Sequence, residues 1–460
     1  MAASAKQAPA VSQVPRKVWL PAQASAGPAE AHDVLRTAAF YMGLALIFVK
    51  FSLLQEILGY LLGFNAGVLY VFGIPALLGV IVAGGVPRTL QGHPSRFWLA
   101  FGFWLAMTIP FSSWQGGSFH EVFGYWKGDL PMMFVVGGLA VSWKECRLLM
   151  KTIGLASLVN LMSTRAFAQS DTGRLAWDFH GSISNANDLA AHLLLVLSFL
   201  LFVVHTSKSL VQRVVLFLIW GYGMIIVIRT GSRGGLLAIA VCCLFALLRG
   251  TKRQRAMLFV IIPVGIMAAL MFVPSDVLKR IGAFSTSSTS RASAQDGQGV
   301  ELEAEESKVA RQDILSKAIE YAIQNPVFGV GAGQFGNYEG THNLLPGATH
   351  GYWHNVHNSF LAPFVEAGVI GGLLHLSAYI FGFVLLNRTF RKAKLRPDCR
   401  DIQTATFYAM MAWVGFSVAI FFLNFSYTWY GPAFGGMSVS IWQAAEYEFV
   451  HRSSRAVAAA

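Results

Sequence analysis

Apolar stretches of about twenty residues recur along most of this chain, and that recurrence restricts its fold more than any other feature. A bilayer core is crossed by roughly 20 apolar residues in helical form. Candidate spans lie at about 38–55, 67–84, 97–113, 130–143, 147–163, 187–205, 211–228, 234–248, 257–273, 358–386, 403–425 and 431–447. The fourth and fifth are short. Of the 460 residues, 55% are hydrophobic and only 13% charged. A soluble fold of this length has no interior large enough for that apolar surface, so lipid must cover part of it. The expected fold class is an all-α polytopic membrane protein with about 12 transmembrane helices.

Charge distribution gives the expected orientation. Of the 35 Lys and Arg, 23 fall in the tails and even-numbered loops with their flanks, 11 in odd-numbered loops, and Lys50 within the first span. Cationic loops stay on the cytosolic side, so both termini are expected there. The net charge of +12 reads as this topology signal, and no nucleic acid partner is expected. The first apolar run follows a long polar leader with Lys6, Arg16, Lys17 and Arg36, unlike a cleavable signal peptide. Cys146, Cys242, Cys243 and Cys399 fall in none of the outer loops and imply no disulfide framework.

The resulting organisation is a cytosolic tail at 1–37, helices one to nine at 38–273, a large outer loop at 274–356, helices ten to twelve at 357–447, and a cytosolic tail at 448–460. Loops as long as 274–356 are usually functional. Residues 281–300 are rich in Ser, Gly and Gln, whereas 307–324 read as a helix with Val309, Leu315, Ala318, Ile319, Ala322 and Ile323 on one stripe. Asn325-Pro326 ends it.

Two groups of residues are candidates for chemistry, and the first breaks the topology rule. Arg229 and Arg233 occupy a short outer turn, RTGSRGG, at membrane level. An intramembrane ionisable residue is a functional candidate by default, although a single Arg there also fits snorkelling to headgroups. The guanidinium fork matches phosphate oxygens two at a time, which points to a lipid-linked phosphate or pyrophosphate. Arg311, on the loop helix, is a further candidate; Arg165, Arg174, Lys279 and Arg280 are weaker ones. The second group is THNLLPGATHGYWHNVHNSF, with His342, His350, His354 and His357. Histidine suits general-base work near neutral pH. Metal ligation and simple bonding to loop carbonyls remain alternatives, but no carboxylate or cysteine set completes a metal site, and none is expected. Asn185, Asn187 and Asp188 open the sixth span, as caps or as the lining of a polar cavity. Lys50, His192, Glu366 and His375 are ionisable residues within or near spans.

NANDLAAHL, TGSRGG at Thr230–Gly235, Arg311 followed by NPVFGVGAGQF, and HNVHNSFLAPFVEAGVIGG resemble, in this chain order, segments of the O-antigen ligase and polymerase superfamily. The resemblance covers roughly residues 180–385 and includes the large late periplasmic loop. It implies an inner-membrane glycosyltransferase of a Gram-negative bacterium acting at the periplasmic face, with no cofactor and no metal. The donor would be an undecaprenyl pyrophosphate-linked O-antigen and the acceptor lipid A–core, among membrane lipids. His357, assisted by His354, would be the catalytic pair; Arg233, Arg229 and Arg311 would bind pyrophosphate; Asn187, Asn358 and Ser232 would support them. The chain ends soon after the last span, where protein-glycosylating relatives continue, and its outer loops lack the R-x10-G repeats of polymerases. Both features favour a ligase over an O-antigen polymerase or a protein O-oligosaccharyltransferase. A transporter is the reading from a different class; it predicts inverted repeats and midplane charges, whereas the polar residues here collect on one face.

Overall fold

The computed structural model describes residues 34–169, 174–177, 183, 185–274, 277, 312–342 and 355–458. The leader before Val34, the Ser/Gly-rich stretch, Val309, Arg311, Lys279, Arg280, His350 and His354 lie outside the described residues.

The architecture is almost wholly helical, with helix in each stretch where a span is expected. Helices satisfy every backbone group internally, which a lipid environment demands. Among the described residues, five helices are long and apolar enough to cross a membrane: Val34–Phe51, Ala186–Thr206, Leu210–Arg229, Gln254–Phe272 and Gly368–Lys394. Ala186–Thr206 is the central helix, with 83% of its apolar window buried. It packs against Trp143–Phe167, Arg400–Ile420 and Leu210–Arg229. At the periphery, Leu210–Arg229 buries 17% of its window and Gln254–Phe272 none, which leaves wide apolar faces for lipid.

Three boundaries differ from the sequence reading. The expected tenth span, 358–386, is broken: a short helix, Ala362–Glu366, is followed by a turn at Ala367, and the long helix starts at Gly368. Gly368 has φ +70, which glycine adopts without strain, so helix cannot pass straight through. The short fifth span is part of a 25-residue helix, Trp143–Phe167, opened by a Ser142–Glu145 capping box. The last helix runs from Tyr430 to Ala458, so most of the expected tail from 448 continues it.

The ends of the bundle differ in chemistry. At one end Arg36 pairs with Glu145 at 2.8 Å, Arg452 holds Asp401 and Glu448 at 2.8 and 2.7 Å, and Lys392 pairs with Glu446. Asp401 also accepts from the Trp143 indole at 2.6 Å. The other end carries the Thr230–Gly235 turn, the glycine-rich segment and His357.

In the loop helix, 312–324, the expected apolar stripe is rotated. The buried face is Ile314, Ala318 and Tyr321, packed on Phe335, Val330 and Val365. Leu315, Ile319 and Ile323 face outward.

Candidate active site

The arginine turn is built by capping. Leu210–Arg229 ends at Thr230, whose hydroxyl donates to the Val227 carbonyl at 2.6 Å. Gly231 reverses the chain at φ +61, and the Ser232 hydroxyl accepts from the Gly235 N–H at 3.2 Å to open Arg233–Arg249. Ser232 and Thr230 are buried and the two arginines partly so. Arg233 is therefore the first residue of a helix, where the dipole and the N-terminal N–H groups also favour an anion.

Asn185, Asn187 and Asp188 divide their roles. Asn185 is a cap, its side-chain oxygen accepting from the Asn187 and Asp188 N–H groups at 2.9 and 3.0 Å. Asn187 reaches sideways and accepts from Arg174 at 2.9 Å. Arg174 also donates through Nε to the Thr230 carbonyl at 2.9 Å. A two-residue ladder, Ala168–Gln169 with Ala176–Trp177, folds the chain back to place it there, and the Leu175 N–H donates to the Arg229 carbonyl at 3.2 Å. Arg174 thus ties the arginine turn to the head of the central helix. The sequence ranks it among weaker candidates because nothing local marks it; its partners lie 13 and 56 positions away.

The histidine segment enters the structure at Asn355. His357 is exposed on the turn before Ala362–Glu366. Asn358 accepts from the Phe360 and Leu361 N–H groups, both at 3.0 Å, which makes it the cap of that turn. Ser359 fixes the segment to the turn after Arg400–Ile420: its hydroxyl donates to the Leu423 carbonyl at 2.7 Å and accepts from the Phe425 N–H at 2.8 Å. Its N–H donates to the Ile420 carbonyl at 3.2 Å, and its carbonyl accepts from Ser426 at 3.0 Å. The same 420–426 turn carries Phe422, whose ring lies against Gly234, 3.0 Å from where a Cβ would stand. One turn therefore contacts both the helix headed by Arg233 and the segment that carries His357. Ser359 carried no sequence signal beyond its place in the HNSF run. His342 lies at the end of Phe335–His342, its ring stacked on Tyr338 at 3.8 Å, apart from these contacts.

The glycine-rich segment is a docking element. Gly331 N–H donates to the Glu366 carbonyl and Val330 N–H to Val365, both at 2.9 Å, and Val369 N–H donates to Pro326 at 2.8 Å. The buried Glu366 carboxylate accepts from the Gly333 and Phe335 N–H groups, both at 3.2 Å. Gly329, Gly331 and Gly333 have φ of +70, +109 and +69. On the far side, Ser113 and Ser118 donate to the Val330 and Ala332 carbonyls at 2.9 and 3.1 Å. Glu121 lies against Gly333; burial pushes its carboxyl above the usual range, with His120 pulling it partly back. Glu366 stood out in the sequence only as a charge near a span; here it holds the glycine-rich segment through the Gly333 and Phe335 N–H groups.

The remaining ionisable residues form the interior beneath this face. His192 is buried between the Tyr430 hydroxyl at 2.7 Å and the Phe51 carbonyl at 3.0 Å, with Asn160 at 2.9 Å. His375 sits among Trp98, Phe101 and Tyr379. Lys50 lies over the Trp429 ring, 5.4 Å from its centre. Among the described residues no three His, Cys, Asp or Glu converge as metal ligands, and all four cysteines are free.

A helical architecture with helices apolar enough to cross a membrane, and with capped arginines and a docked glycine-rich segment at one end of the bundle, defines a polytopic membrane protein. Residues 214–376 match the family model described as O-Antigen ligase, so this part of the chain is similar to that family. The match takes in Arg229, Ser232, Arg233, His357 and Asn358 and leaves Arg174 and Asn187 outside. No curated protein matches the chain.

Proposed function

We propose that this protein is an O-antigen ligase that transfers a glycan from undecaprenyl pyrophosphate to a sugar hydroxyl of lipid A–core at the periplasmic face of a Gram-negative inner membrane. The observation that carries this reading is the 420–426 turn, which touches both the Arg233 helix and the His357 segment. The pyrophosphate is the leaving group. Arg233 and Arg229, with Arg311 from the loop, stabilise the charge it gains as the glycosidic C–O bond breaks and the electron pair departs with it. The acceptor oxygen attacks the anomeric carbon from the opposite side while its proton passes to His357, with His354 beside it. A single displacement of this kind inverts the anomeric centre. Arg174 and Asn187 hold the arginine turn; Asn358 and Ser232 cap the two segments that carry the reactive side chains.

This reading includes twelve spans and both termini in the cytosol. Reporter fusions at Val34, Ala456 and Gln298 test that topology; cytosolic signal at Gln298 would reverse the site. A polymerase shares the same core chemistry. In a deletion strain, loss of all long-chain lipopolysaccharide with accumulation of lipid-linked polymer supports the ligase. Single-unit products alone would mean a polymerase, and an unchanged ladder would reject both.

A further inference from the structure

Away from the candidate active site, the short helix Gly85–Thr89 and the helix His93–Thr108 enclose a groove of about 590 Å³. Pro87 and Leu90 form one wall, Leu99, Ala100 and Phe103 the other, and Arg96 and Gln91 also line it. It lies at the ion-paired end of the bundle: Arg88 donates to the Gly138 carbonyl at 2.5 Å and Arg36 to the neighbouring Leu139 carbonyl at 3.0 Å. Arg88 also donates to the Ala83 carbonyl at 3.2 Å, which fixes the short helix. Gln443 of the last helix donates to the Arg88 carbonyl at 2.9 Å and to the Gln91 Oε1 at 3.1 Å. His93–Thr108 runs antiparallel to Gly368–Lys394, a candidate membrane span: Phe97 stacks on Phe381 at 5.1 Å, and the Trp104 indole donates to the Ala367 carbonyl at 2.7 Å.

On one face of His93–Thr108, Arg96, Leu99, Ala100, Phe103 and Met107 follow at helical spacing, a cation first and only apolar side chains after it. Phe103 and Met107 are exposed. From Arg96 to Met107 the helix rises about 16 Å, the depth of one leaflet in a hydrocarbon core about 30 Å thick. Arg96 is exposed, and its Nε donates to the Leu90 carbonyl at 2.6 Å, its one partner among the described residues. That bond orients the guanidinium and leaves its two terminal amino groups for an anion. Among the described residues lining the groove there is no carboxylate to receive an ammonium headgroup. We infer that this groove binds one acidic phospholipid of the leaflet at this end, with its phosphate on Arg96 and an acyl chain along Leu99, Ala100 and Phe103. An arginine that merely snorkels needs only its own stem; here a walled groove continues from it. A lipid in this place bridges Gly85–Thr89 to His93–Thr108 and stabilises the folded protein by mass action. The inference is independent of the chemistry at the opposite end.

The test is native mass spectrometry of the delipidated full-length protein, titrated with phosphatidylglycerol or with phosphatidylethanolamine of the same acyl chains. One phosphatidylglycerol should bind roughly five-fold more tightly than phosphatidylethanolamine, the discrimination expected of one basic side chain at a charged headgroup. Arg96→Gln should bind the two lipids alike, and Ala100→Phe, which fills the groove, should lose the tight phosphatidylglycerol. Arg391→Gln removes an exposed arginine at the same end but outside the groove, and should keep the wild-type preference. In phosphatidylethanolamine nanodiscs, phosphatidylglycerol with a diazirine on its acyl chain should label residues 86–91 and 96–107 of the wild-type protein. Equal affinity of the wild-type protein for both lipids, an equal loss of preference in Arg391→Gln, or label spread evenly over the lipid-facing helices would identify ordinary boundary lipid and overturn the proposal. Displacement of phosphatidylglycerol by an equal concentration of inorganic phosphate would overturn it too, as a plain anion site. The labelling is read on the wild-type protein and decides the matter even where a variant fails to fold.

Discussion

The docking of the glycine-rich segment against the break before the Gly368–Lys394 helix can be tested by one added methyl group. Gly368 sits at φ +70, and a Cβ there would overlap the Val327 carbonyl oxygen, with the Val327 carbonyl carbon at 2.5 Å and the Pro326 oxygen at 2.8 Å. Placing alanine in the left-handed region costs about 1–2 kcal/mol. Relieving the overlap requires the two backbones to separate. That weakens Val369 N–H to Pro326, Val330 N–H to Val365 and Gly331 N–H to Glu366, at 2.8, 2.9 and 2.9 Å. Each such bond is worth about 1 kcal/mol net, so Gly368→Ala should disfavour the docked loop by roughly 4–5 kcal/mol, or about three powers of ten. Gly84 is the control: its φ is +65 and nothing lies within 4 Å of a Cβ built there, so Gly84→Ala carries only the conformational cost. Both variants are assayed for glycan transfer and for amide hydrogen exchange over 326–335. Gly368→Ala should lose transfer and protection together while the exchange of Ala186–Thr206 stays slow. Wild-type protection of 326–335 in Gly368→Ala, or equal damage in Gly84→Ala, would refute the docking argument.

Arg233→Lys should lose most transfer from the lipid pyrophosphate although charge is kept, because lysine lacks the two-pronged fork; full activity would make this arginine a headgroup anchor. His357→Ala should insert normally and lose ~10²–10⁴-fold in transfer rate, with His354→Ala costing less and His342→Ala or His350→Ala least; four active single mutants would reject the general-base mechanism. Arg174→Ala should raise the donor KM several-fold by releasing the Thr230–Gly235 turn, and Arg174→Lys should recover part of it; hydrogen exchange at 229–235 unchanged from wild type would show that this turn stands without Arg174. Transfer by purified protein should persist in excess chelator, since the histidine run has no carboxylate or cysteine set beside it; loss of activity restored by a divalent ion would recast those histidines as ligands.

The sequence by itself determined the class of fold, because spanning lipid is a one-dimensional problem: apolar length and backbone satisfaction are read along the chain. It also determined the candidates Arg229, Arg233 and His357, since charge at membrane depth and a clustered base are visible as residue types. Asn185 was legible as a possible cap of the central helix because a cap acts within three residues of itself, whereas the capping by Ser232 and Asn358 came from the structure. The rest depended on partners distant in the chain. Arg174 meets Thr230 only after a hairpin returns it. Ser359 matters because the 420–426 turn comes to it, and Glu366 because three glycines let a loop backbone approach it closely. The sequence set Leu315, Ala318, Ile319, Ala322 and Ile323 on one stripe of the loop helix, and periodicity records that residues share a face and not what that face meets. Tertiary packing turned Ile314, Ala318 and Tyr321 inward instead and left Ile319 and Ile323 on the side that continues into the span.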